Sequence, residues 1–306
     1  MKKLKLGMSN LEVPALAVGC MRINGLDASA AETFVKTALD LGANFFDHAD
    51  IYGDGECEEV FAKAAGMNPA IREKMFIQSK CGIIRATMYN QSEQYIIDSV
   101  DAALKRLQTD YLDVFLLHRP DALMEPLEVA TAFDKLEASG KVRNFGVSNH
   151  DPLTISLLKK YLKQPIVANQ LQLSITNASL ITHTMNMNTE SDLACDRDNN
   201  VLNFCRLNDI TVQAWSPFQY GFFEGTFIGN DKFPELNAKL DEIADKYNVS
   251  ATTIALAWIL RHPANIMPVT GTTNVGRLTD CVKATDIRLD RKDWYAIYLA
   301  AGHLLP

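Results

Sequence analysis

The sequence predicts an α/β fold in which eight parallel strands, with helices between them, close into a (β/α)8 (TIM) barrel. Short, continuous apolar runs recur along the chain, as is typical of parallel strands buried on both faces, and longer amphipathic segments separate them. A length of 306 residues suits one such barrel, so we expect a single domain over residues 1–306. The number of repeats favours the closed barrel over an open, doubly wound sheet.

The predicted strands and helices alternate along the chain. The expected strands are Leu16–Arg22, Asn44–His48, Met75–Lys80, Tyr111–His118, Val142–Ser148, Val167–Leu171, Thr211–Trp215 and Asn265–Pro268. The expected helices are Ser29–Leu41, Glu56–Ala65, Ser92–Leu107, Pro126–Ser139, Pro152–Leu162, Val201–Leu207, Pro234–Tyr247, Ser250–Arg261 and Val275–Ala284. Several boundaries carry local signals. Asp151 precedes a proline at a first helical position, and Gly42, Gly66 and Gly140 follow helix ends.

Two segments lie outside this alternation. Residues 2–14 predict a hairpin around Gly7 that would plug the N-terminal end of the barrel. Residues 174–200 form a long polar connection after the sixth strand. Connections of this length in a compact domain are usually functional lids or disordered insertions, and the sequence leaves a role at a substrate site open.

Composition and charge exclude several classes of protein. Hydrophobic residues make up 47% of the chain and charged residues 22%, as in ordinary folded enzymes. The net charge of −7 and the absence of a basic stripe argue against a nucleic-acid partner. No apolar stretch suits a membrane span or a signal peptide, so we expect a cytoplasmic protein. The six cysteines are scattered without Cys-x-x-Cys pairs, so neither disulfides nor a metal site is expected.

Four polar residues lie at or just after the ends of predicted strands. They are Asp47, Tyr52, Lys80 and His118. Because the carboxyl ends of barrel strands meet at one face, we expect these side chains to converge. Asp47 and Lys80 should pair, and the ammonium should lower the pKa of the phenol from about 10 so that Tyr52 can protonate a carbonyl oxygen. A neutral His118 would donate a hydrogen bond to the same oxygen.

Each of these residues also has an ordinary structural interpretation. Taken singly, Asp47 could cap a turn, Lys80 could be a surface lysine, Tyr52 could be a packing residue and His118 a rim histidine. Their joint occurrence favours catalysis, because a carbonyl reductase needs a proton donor beside a cofactor that donates hydride. Cys81, next to Lys80, is expected to be a buried thiol without a catalytic role.

The motifs that contain the four residues resemble those of the aldo-keto reductase family over nearly the full length of the chain. Asp47 and Tyr52 match the family motif Asp-x-Ala-x-x-Tyr-Gly, and Lys80 and His118 complete its tetrad. Further family signatures follow in order at Gly146-Val-Ser-Asn149, Asn169-Gln170 and Ala214-Trp-Ser-Pro-Phe218. The resemblance implies a (β/α)8 barrel that binds extended NADPH without a Rossmann domain, with Tyr52 as the general acid.

The resemblance also implies cofactor contacts. Ser148, Asn149 and Gln170 would hold the nicotinamide carboxamide. Trp215 would stack on the nicotinamide ring, where many relatives carry tyrosine. The other implied cofactor residues are Ser216, Gly271, Thr272, Thr273 and Arg277.

The segment after the eighth strand has its own phosphate-binding features. Gly271 and Gly276 fit the Gly-x-x-x-x-Gly part of a P-loop, but Arg277-Leu278 replaces its Lys-Ser/Thr, so a P-loop NTPase is not expected. A Gly/Thr-rich turn before a helix can still cradle phosphate, and Arg277 could bind the 2′-phosphate of NADPH. Many relatives carry lysine where Gly271 stands, so the preference for NADPH over NADH is left open, and NADH is a possible cofactor.

The implied reaction is the reversible reduction of an aldehyde or a ketone, with a small carbonyl compound as partner. Candidates for the substrate pocket are Met21, Arg22, Ile23, Tyr89, Arg119 and Phe218. Arg119 suggests an acidic substrate, but pairing with Asp121 or Glu125 is the favoured interpretation. The substrate and the oligomeric state are left open.

Two other functions are weighed against this reaction. The alternative is an NADPH-binding redox sensor or auxiliary subunit with slow turnover, as in potassium-channel β subunits. A metal-dependent hydrolase is disfavoured, because no His-x-His pair or carboxylate cluster ends a strand.

Overall fold

The computed structural model describes residues 1–306 and contains a closed barrel of eight parallel strands. In chain order they are Ala17–Gly19, Phe45–Asp47, Phe76–Cys81, Val114–Leu117, Phe145–Ser148, Ile166–Gln172, Thr211–Trp215 and Met267–Thr270. Each strand pairs with the next, and the eighth closes the barrel by pairing with the first, with Val269 opposite Ala17. The predicted (β/α)8 barrel is therefore confirmed.

Helices cover the outside of the barrel. They are Ala28–Asp40, Glu56–Ala65, Pro69–Arg72, Glu93–Leu107, Pro126–Ala138, Pro152–Lys159, Ser179–Met185, Val201–Leu207, Pro234–Tyr247, Ala251–Leu260, Val275–Lys283 and Arg291–Ala300. Their apolar faces pack on the strands in one core of 64 buried residues. All nine expected helices are present. The sequence analysis missed the helices Pro69–Arg72, Ser179–Met185 and Arg291–Ala300.

Several short elements lie in the loops. Two small hairpins pair Ile83–Ile84 with Met88–Tyr89 and Gln219–Tyr220 with Gly225–Thr226. Single turns of 3-10 helix lie at Ile23–Gly25, Tyr52–Gly55, Asp192–Ala194 and Ala284–Asp286. None of the helices combines the length and the apolar composition needed to span a membrane.

The N-terminal hairpin closes one end of the barrel, as predicted. Strand Lys3–Lys5 pairs with Glu12–Pro14, and the buried side chains of its turn region enter an apolar cluster inside the barrel. Gly7 has a φ of +51°, and its N–H donates to Thr211 Oγ1 at 2.8 Å. A Cβ at Gly7 would lie only 2.2 Å from the carbonyl oxygen of Val167, so only glycine fits here.

The long connection 174–200 is an ordered insertion with a helix of its own, Ser179–Met185. The C-terminal part of the chain holds it in place. Tyr298 Oη donates to Thr182 Oγ1 at 3.1 Å, and the His303 ring contacts the carbonyl oxygen of Ile175 at 2.7 Å. The segment therefore packs against the C-terminal helix and the residues that follow it.

Candidate active site

A cavity of about 880 Å³ opens at the carboxyl ends of the barrel strands. Asp47, Tyr52 and His118 line it, and the Lys80 side chain lies beneath them with no exposed surface. Asp47 and Lys80 belong to the second and third barrel strands, while Tyr52 and His118 follow the second and fourth. The four residues predicted to converge therefore do so.

Lys80 is the centre of this group. Its Nζ lies 2.8 Å from the Asp47 carboxylate, and it donates to Tyr52 Oη at 3.2 Å and to the His48 carbonyl oxygen at 2.7 Å. The Tyr52 and His118 rings meet edge to face, with centroids 5.9 Å apart. A phenol hydroxyl and an imidazole thus face the same cavity, and a buried ammonium touches the phenol.

A layer of three buried glutamines supports Asp47 from inside the barrel. Asp47 Oδ1 accepts hydrogen bonds from Gln78 Nε2 at 2.5 Å and from Gln170 Nε2 at 3.0 Å. Gln213 Oε1 accepts from the same two amides at 2.9 and 3.0 Å, and Gln213 Nε2 donates to Gln78 Oε1. The carboxylate is therefore fixed in direction before any ligand binds. The sequence analysis missed Gln78 and Gln213.

The electrostatic environment of Tyr52 differs from the prediction in one respect. Burial raises the pKa of Tyr52, and this exceeds the lowering by the Lys80 ammonium, so the pKa lies above 10.0. Lys80 acts in the predicted direction, but the predicted net lowering of the Tyr52 pKa is wrong. Tyr52 consequently holds its proton at neutral pH, which is the state that a proton donor requires.

The charge states of Lys80 and His118 are also set by their surroundings. Burial would lower the pKa of Lys80, but the charge of Asp47 and the contact with Tyr52 raise it above its ordinary value, so Lys80 is an ammonium. Burial, followed by the charges of Lys80 and Arg119, places the pKa of His118 well below 6.5, so its ring is neutral. His118 Nδ1 is buried without a hydrogen-bond partner.

The residues predicted to bind nicotinamide all line the cavity beside this group. Asn149 Nδ2 donates to Ser148 Oγ at 2.8 Å, and Ser148 Oγ donates to the Gln170 carbonyl oxygen at 3.0 Å. Trp215 Nε1 donates to Asn149 Oδ1 at 3.1 Å. Asn149 and Ser216 have φ angles of +60° and +53°, in the left-handed region that few non-glycine residues adopt.

The predicted phosphate-binding residues line the other end of the cavity, namely Gly271, Thr272, Thr273 and Arg277. Asn274 caps helix Val275–Lys283 by accepting the Arg277 N–H at 2.9 Å, so the positive end of this helix lies at the cavity.

Arg22, predicted to be a substrate residue, lies at this phosphate end. Its Nη1 donates to the Gly271 carbonyl oxygen at 3.3 Å. A Cβ at Gly271 would lie 2.8 Å from that guanidinium nitrogen, so a larger side chain there would compete with Arg22 for the same space. Arg22 therefore supplies a positive charge beside the position where many aldo-keto reductases carry a lysine.

Five of the six predicted substrate-pocket residues line the cavity, and Ile23 does not. Ile23 begins a turn of 3-10 helix and is fully buried in the main core, so its assignment to the pocket is wrong. Residues 174–200 also contribute nothing to the cavity wall.

Arg119 does not pair with a carboxylate as predicted. Asp121 instead accepts the backbone N–H groups of Gln91 and Leu123, at 3.0 and 2.9 Å. The Arg119 guanidinium lies over the Trp215 ring, 5.9 Å from its centroid, and faces the cavity. Its charge is therefore available to a ligand.

Two aromatic residues that the sequence analysis missed form part of the cavity wall. Phe222 and Phe223 lie in the small hairpin after the seventh strand, and Phe223 stacks on Trp215 with ring centroids 5.8 Å apart. Phe222 is 65% exposed. The two consecutive phenylalanines, which lie between two short polar strands, could have predicted this aromatic wall from the sequence.

Known proteins that are similar to this chain have the family membership that the site geometry suggests. The sequence model of the aldo/keto reductase family matches residues 15–299. The chain belongs to the aldo/keto reductase family. Membership supports carbonyl reduction as its general reaction. Among its relatives is the oxidoreductase YcsN of Bacillus subtilis, 34% identical over 100% of both chains.

A second relative and a solved structure are similar to the chain over nearly its whole length. The 6-dehydroglucose reductase of Novosphingobium aromaticivorans is 33% identical, with 99% of this chain and 96% of the relative covered. The crystal structure of a thermostable aldo-keto reductase, in complex with the inhibitor epalrestat, superposes with a TM-score of 0.78. It is 28% identical and covers 98% of this chain and 100% of the other.

Proposed function

We propose that this aldo-keto reductase reduces aldehydes or ketones reversibly with NADPH, and that Tyr52 is the general acid. One observation carries the proposal. The Tyr52 hydroxyl faces the cavity while it lies 3.2 Å from the buried Lys80 ammonium. A buried cation beside a phenol stabilises the phenolate that remains once the proton has gone to the substrate.

The cavity fits the proposed cofactor at both ends. When bound, NADPH supplies the hydride. At one end, Ser148, Asn149 and Gln170 offer amide and hydroxyl groups to a carboxamide. At the other end, Arg22 contacts Gly271 and Arg277 lies in the first turn of the capped helix, so two guanidinium groups and a helix N-terminus are available to phosphate groups.

The proton step uses groups that are already in place. Tyr52 donates its proton to the carbonyl oxygen of the substrate, and Lys80 lowers the energy of the resulting phenolate. The neutral His118 ring orients the same oxygen by hydrogen bonding. Asp47, fixed by Gln78 and Gln170, holds Lys80 in its charged form beside the phenol.

The charges on the cavity wall indicate which carbonyl compounds to test. Arg22, Arg119 and Arg277 line the cavity, whereas Asp47 is its one lining carboxylate and is paired with Lys80. We infer that Arg119, next to His118, binds a carboxylate or polar end of the substrate. A relative named 6-dehydroglucose reductase supports including polyhydroxylated aldehydes.

The test combines cofactor binding with turnover. NADPH and NADH binding are followed by quenching of protein fluorescence, and oxidation by the loss of nicotinamide absorbance on adding aldehydes, ketones, sugar aldehydes and 2-oxo acids. Tight NADPH binding with rapid oxidation by some carbonyls is expected. Tight binding without turnover over the whole panel would favour the redox sensor, and no binding would contradict the cofactor assignment.

A variant of Arg119 tests the substrate class separately. Arg119→Met should raise KM for 2-oxo acids by about 10-fold or more, since a charge-assisted hydrogen bond contributes roughly 1.5–3 kcal/mol. KM for a neutral aldehyde of similar size should change little. Equal changes for both substrates would show that Arg119 acts on the general shape of the site rather than on substrate charge.

A further inference from the structure

Three metal-ligating side chains cluster in the insertion, outside the cavity. His183 lies on helix Ser179–Met185, and Asp196 and Asp198 lie in the turn that leads into helix Val201–Leu207. One ligating atom from each side chain lies within 4.8 Å of the other two. None of the three lines the cavity, so the cluster is separate from the active site.

His183 is held in the form that a metal-binding histidine takes. It is only 7% exposed, and its Nδ1 lies 2.9 Å from the Ser179 carbonyl oxygen. Because a carbonyl only accepts, Nδ1 carries the proton and a neutral ring has its lone pair on Nε2. That Nε2 is buried without a hydrogen-bond partner. Metal-binding histidines typically donate the N–H of one ring nitrogen to a backbone carbonyl and bind the ion through the other nitrogen.

The carboxylates face this free nitrogen. Asp196 Oδ1 lies 4.0 Å from His183 Nε2, which is too far for a hydrogen bond. The same oxygen accepts the N–H groups of Asp198 and Asn200, at 3.1 and 3.2 Å. Asp198 Oδ1 is buried without a partner, and neither carboxylate pairs with a lysine or an arginine. The cluster thus places two carboxylates beside an imidazole nitrogen that has no hydrogen-bond partner.

We propose that His183, Asp196 and Asp198 bind a divalent transition-metal ion of the Zn²⁺ class. One imidazole nitrogen with two carboxylate oxygens suits Zn²⁺, whereas Ca²⁺ and Mg²⁺ prefer oxygen ligands alone. Bonds of about 2.0–2.1 Å require ligand atoms roughly 3.3 Å apart in a tetrahedral site, so the cluster must contract. The Asp196 side chain is 39% exposed and has room to move.

The ion would join two parts of the insertion that lie on separate elements. It would tie helix Ser179–Met185 to the turn before Val201–Leu207, while Tyr298 already binds that helix through Thr182. The expected role is therefore to stabilise the insertion and its contact with the C-terminal region. The sequence carries no metal motif because the histidine and the carboxylates come from different elements without a familiar spacing.

Metal titration of the untagged, chelator-treated full chain tests the proposal. Calorimetry with ZnCl₂ should show one ion per chain, and saturating Zn²⁺ should raise the thermal unfolding midpoint. His183→Gln and Asp198→Asn should each weaken binding by at least about tenfold, as loss of a ligand or its support does. The control His262→Gln, which removes a histidine outside the cluster, should bind as the wild type does.

The exposed Cys195 lies next to the cluster in sequence and needs its own control. Cys195→Ser should bind normally, and the Co²⁺ complex of the wild type should lack a thiolate-to-cobalt charge-transfer band. If His183→Gln does not fold, Asp198→Asn and the Co²⁺ spectrum decide. Absence of Zn²⁺ binding, binding to Ca²⁺ alone, loss of binding in Cys195→Ser, or normal binding in both cluster variants would overturn the proposal.

Discussion

At the scale of single residues, the proposed chemistry depends on one contact between a phenol and an ammonium. Burial alone makes the Tyr52 hydroxyl a poorer acid, and Lys80 opposes this by stabilising the phenolate. Burial would also neutralise Lys80, and Asp47 prevents it. In the series from Asp47 to Lys80 to Tyr52, the charge state of each later group therefore depends on the group before it.

Replacing Tyr52 by phenylalanine tests the last step of this series. Tyr52→Phe removes only the transferable proton, so kcat for carbonyl reduction should fall by about 10²–10⁴-fold, the usual contribution of a general acid. The Kd for NADPH should stay within about twofold, measured by fluorescence quenching. Tyr95→Phe is the control, because its hydroxyl faces Asp50 outside the cavity. Wild-type turnover in Tyr52→Phe would refute the assignment of the acid.

The two arginines at the phosphate end give a second prediction. Arg277→Ala should weaken the binding of NADPH more than that of NADH by roughly 1.5–3 kcal/mol, the scale of a hydrogen bond to a charged group. Arg22→Ala serves as the matched variant, because its guanidinium contacts the Gly271 carbonyl oxygen at the same end of the cavity. If Arg22→Ala alone discriminates between the two cofactors, the 2′-phosphate binds at Arg22. Equal weakening of NADPH and NADH in both variants would place it elsewhere.

At the scale of elements, the sequence predicted where each strand lies, but it did not predict which residues of a strand pair with the neighbouring strand. The apolar run Tyr111–His118 indicated the fourth strand, but the paired strand is Val114–Leu117, because Leu112 forms only an isolated bridge with Val142. The apolar pattern of a segment indicates which of its residues are buried, whereas its backbone pairing depends on the position of the neighbouring strand.

The convergence of Asp47, Tyr52, Lys80 and His118 was predictable because polar groups at or just after the ends of apolar runs are unusual. The glutamine layer was not. Gln78 and Gln213 acquire their role only by meeting Gln170 and Asp47 from distant strands. Arg119 was assigned to the wrong partner for the same reason, since Gln91 reaches Asp121 from a separate loop.

The turn of the N-terminal hairpin requires glycine at position 7. Gly7→Ala should destabilise the protein by more than about 2 kcal/mol, because it adds a collision with Val167 to the cost of about 1–2 kcal/mol for a left-handed alanine. Gly66→Ala is the matched control. Its φ is +57° and nothing lies within 4 Å of the added Cβ, so it carries the backbone cost alone. Equal losses in urea unfolding would mean that the hairpin adjusts freely.

At the scale of the whole molecule, buried histidines determine how stability varies with pH. Burial lowers the pKa of His48 to about 3, and those of His150 and His262 to about 4. Between pH 6.5 and about 4 the unfolded chain therefore binds about three more protons at these sites. Burial raises the pKa of Asp50 to about 7, so the folded chain binds one more proton there, which opposes the histidines.

The free energy of unfolding should consequently fall as the pH drops from 6.5 towards 4. The net difference of about two protons at these four sites corresponds to about 2.7 kcal/mol per pH unit where they titrate fully. His118, whose pKa also lies well below 6.5 because of burial, makes the fall steeper. Urea unfolding at several pH values measures this slope. His262→Gln should reduce it by about one proton, and stability that is constant or increasing over this range would contradict the assignment.

The hairpin at the N-terminal end has a consequence for the chemistry at the opposite end. Leu6 and Val13 belong to the apolar cluster that fills the barrel interior, and Gln213 lies above it, with its Nε2 3.9 Å from Met267 Sδ. Water that entered from below would reach the glutamines and raise the local dielectric constant around the ion pair. The attraction between Asp47 and Lys80 would then weaken in proportion. The hairpin thus helps to keep a low dielectric constant around the ion pair that supports the proposed proton donor, Tyr52.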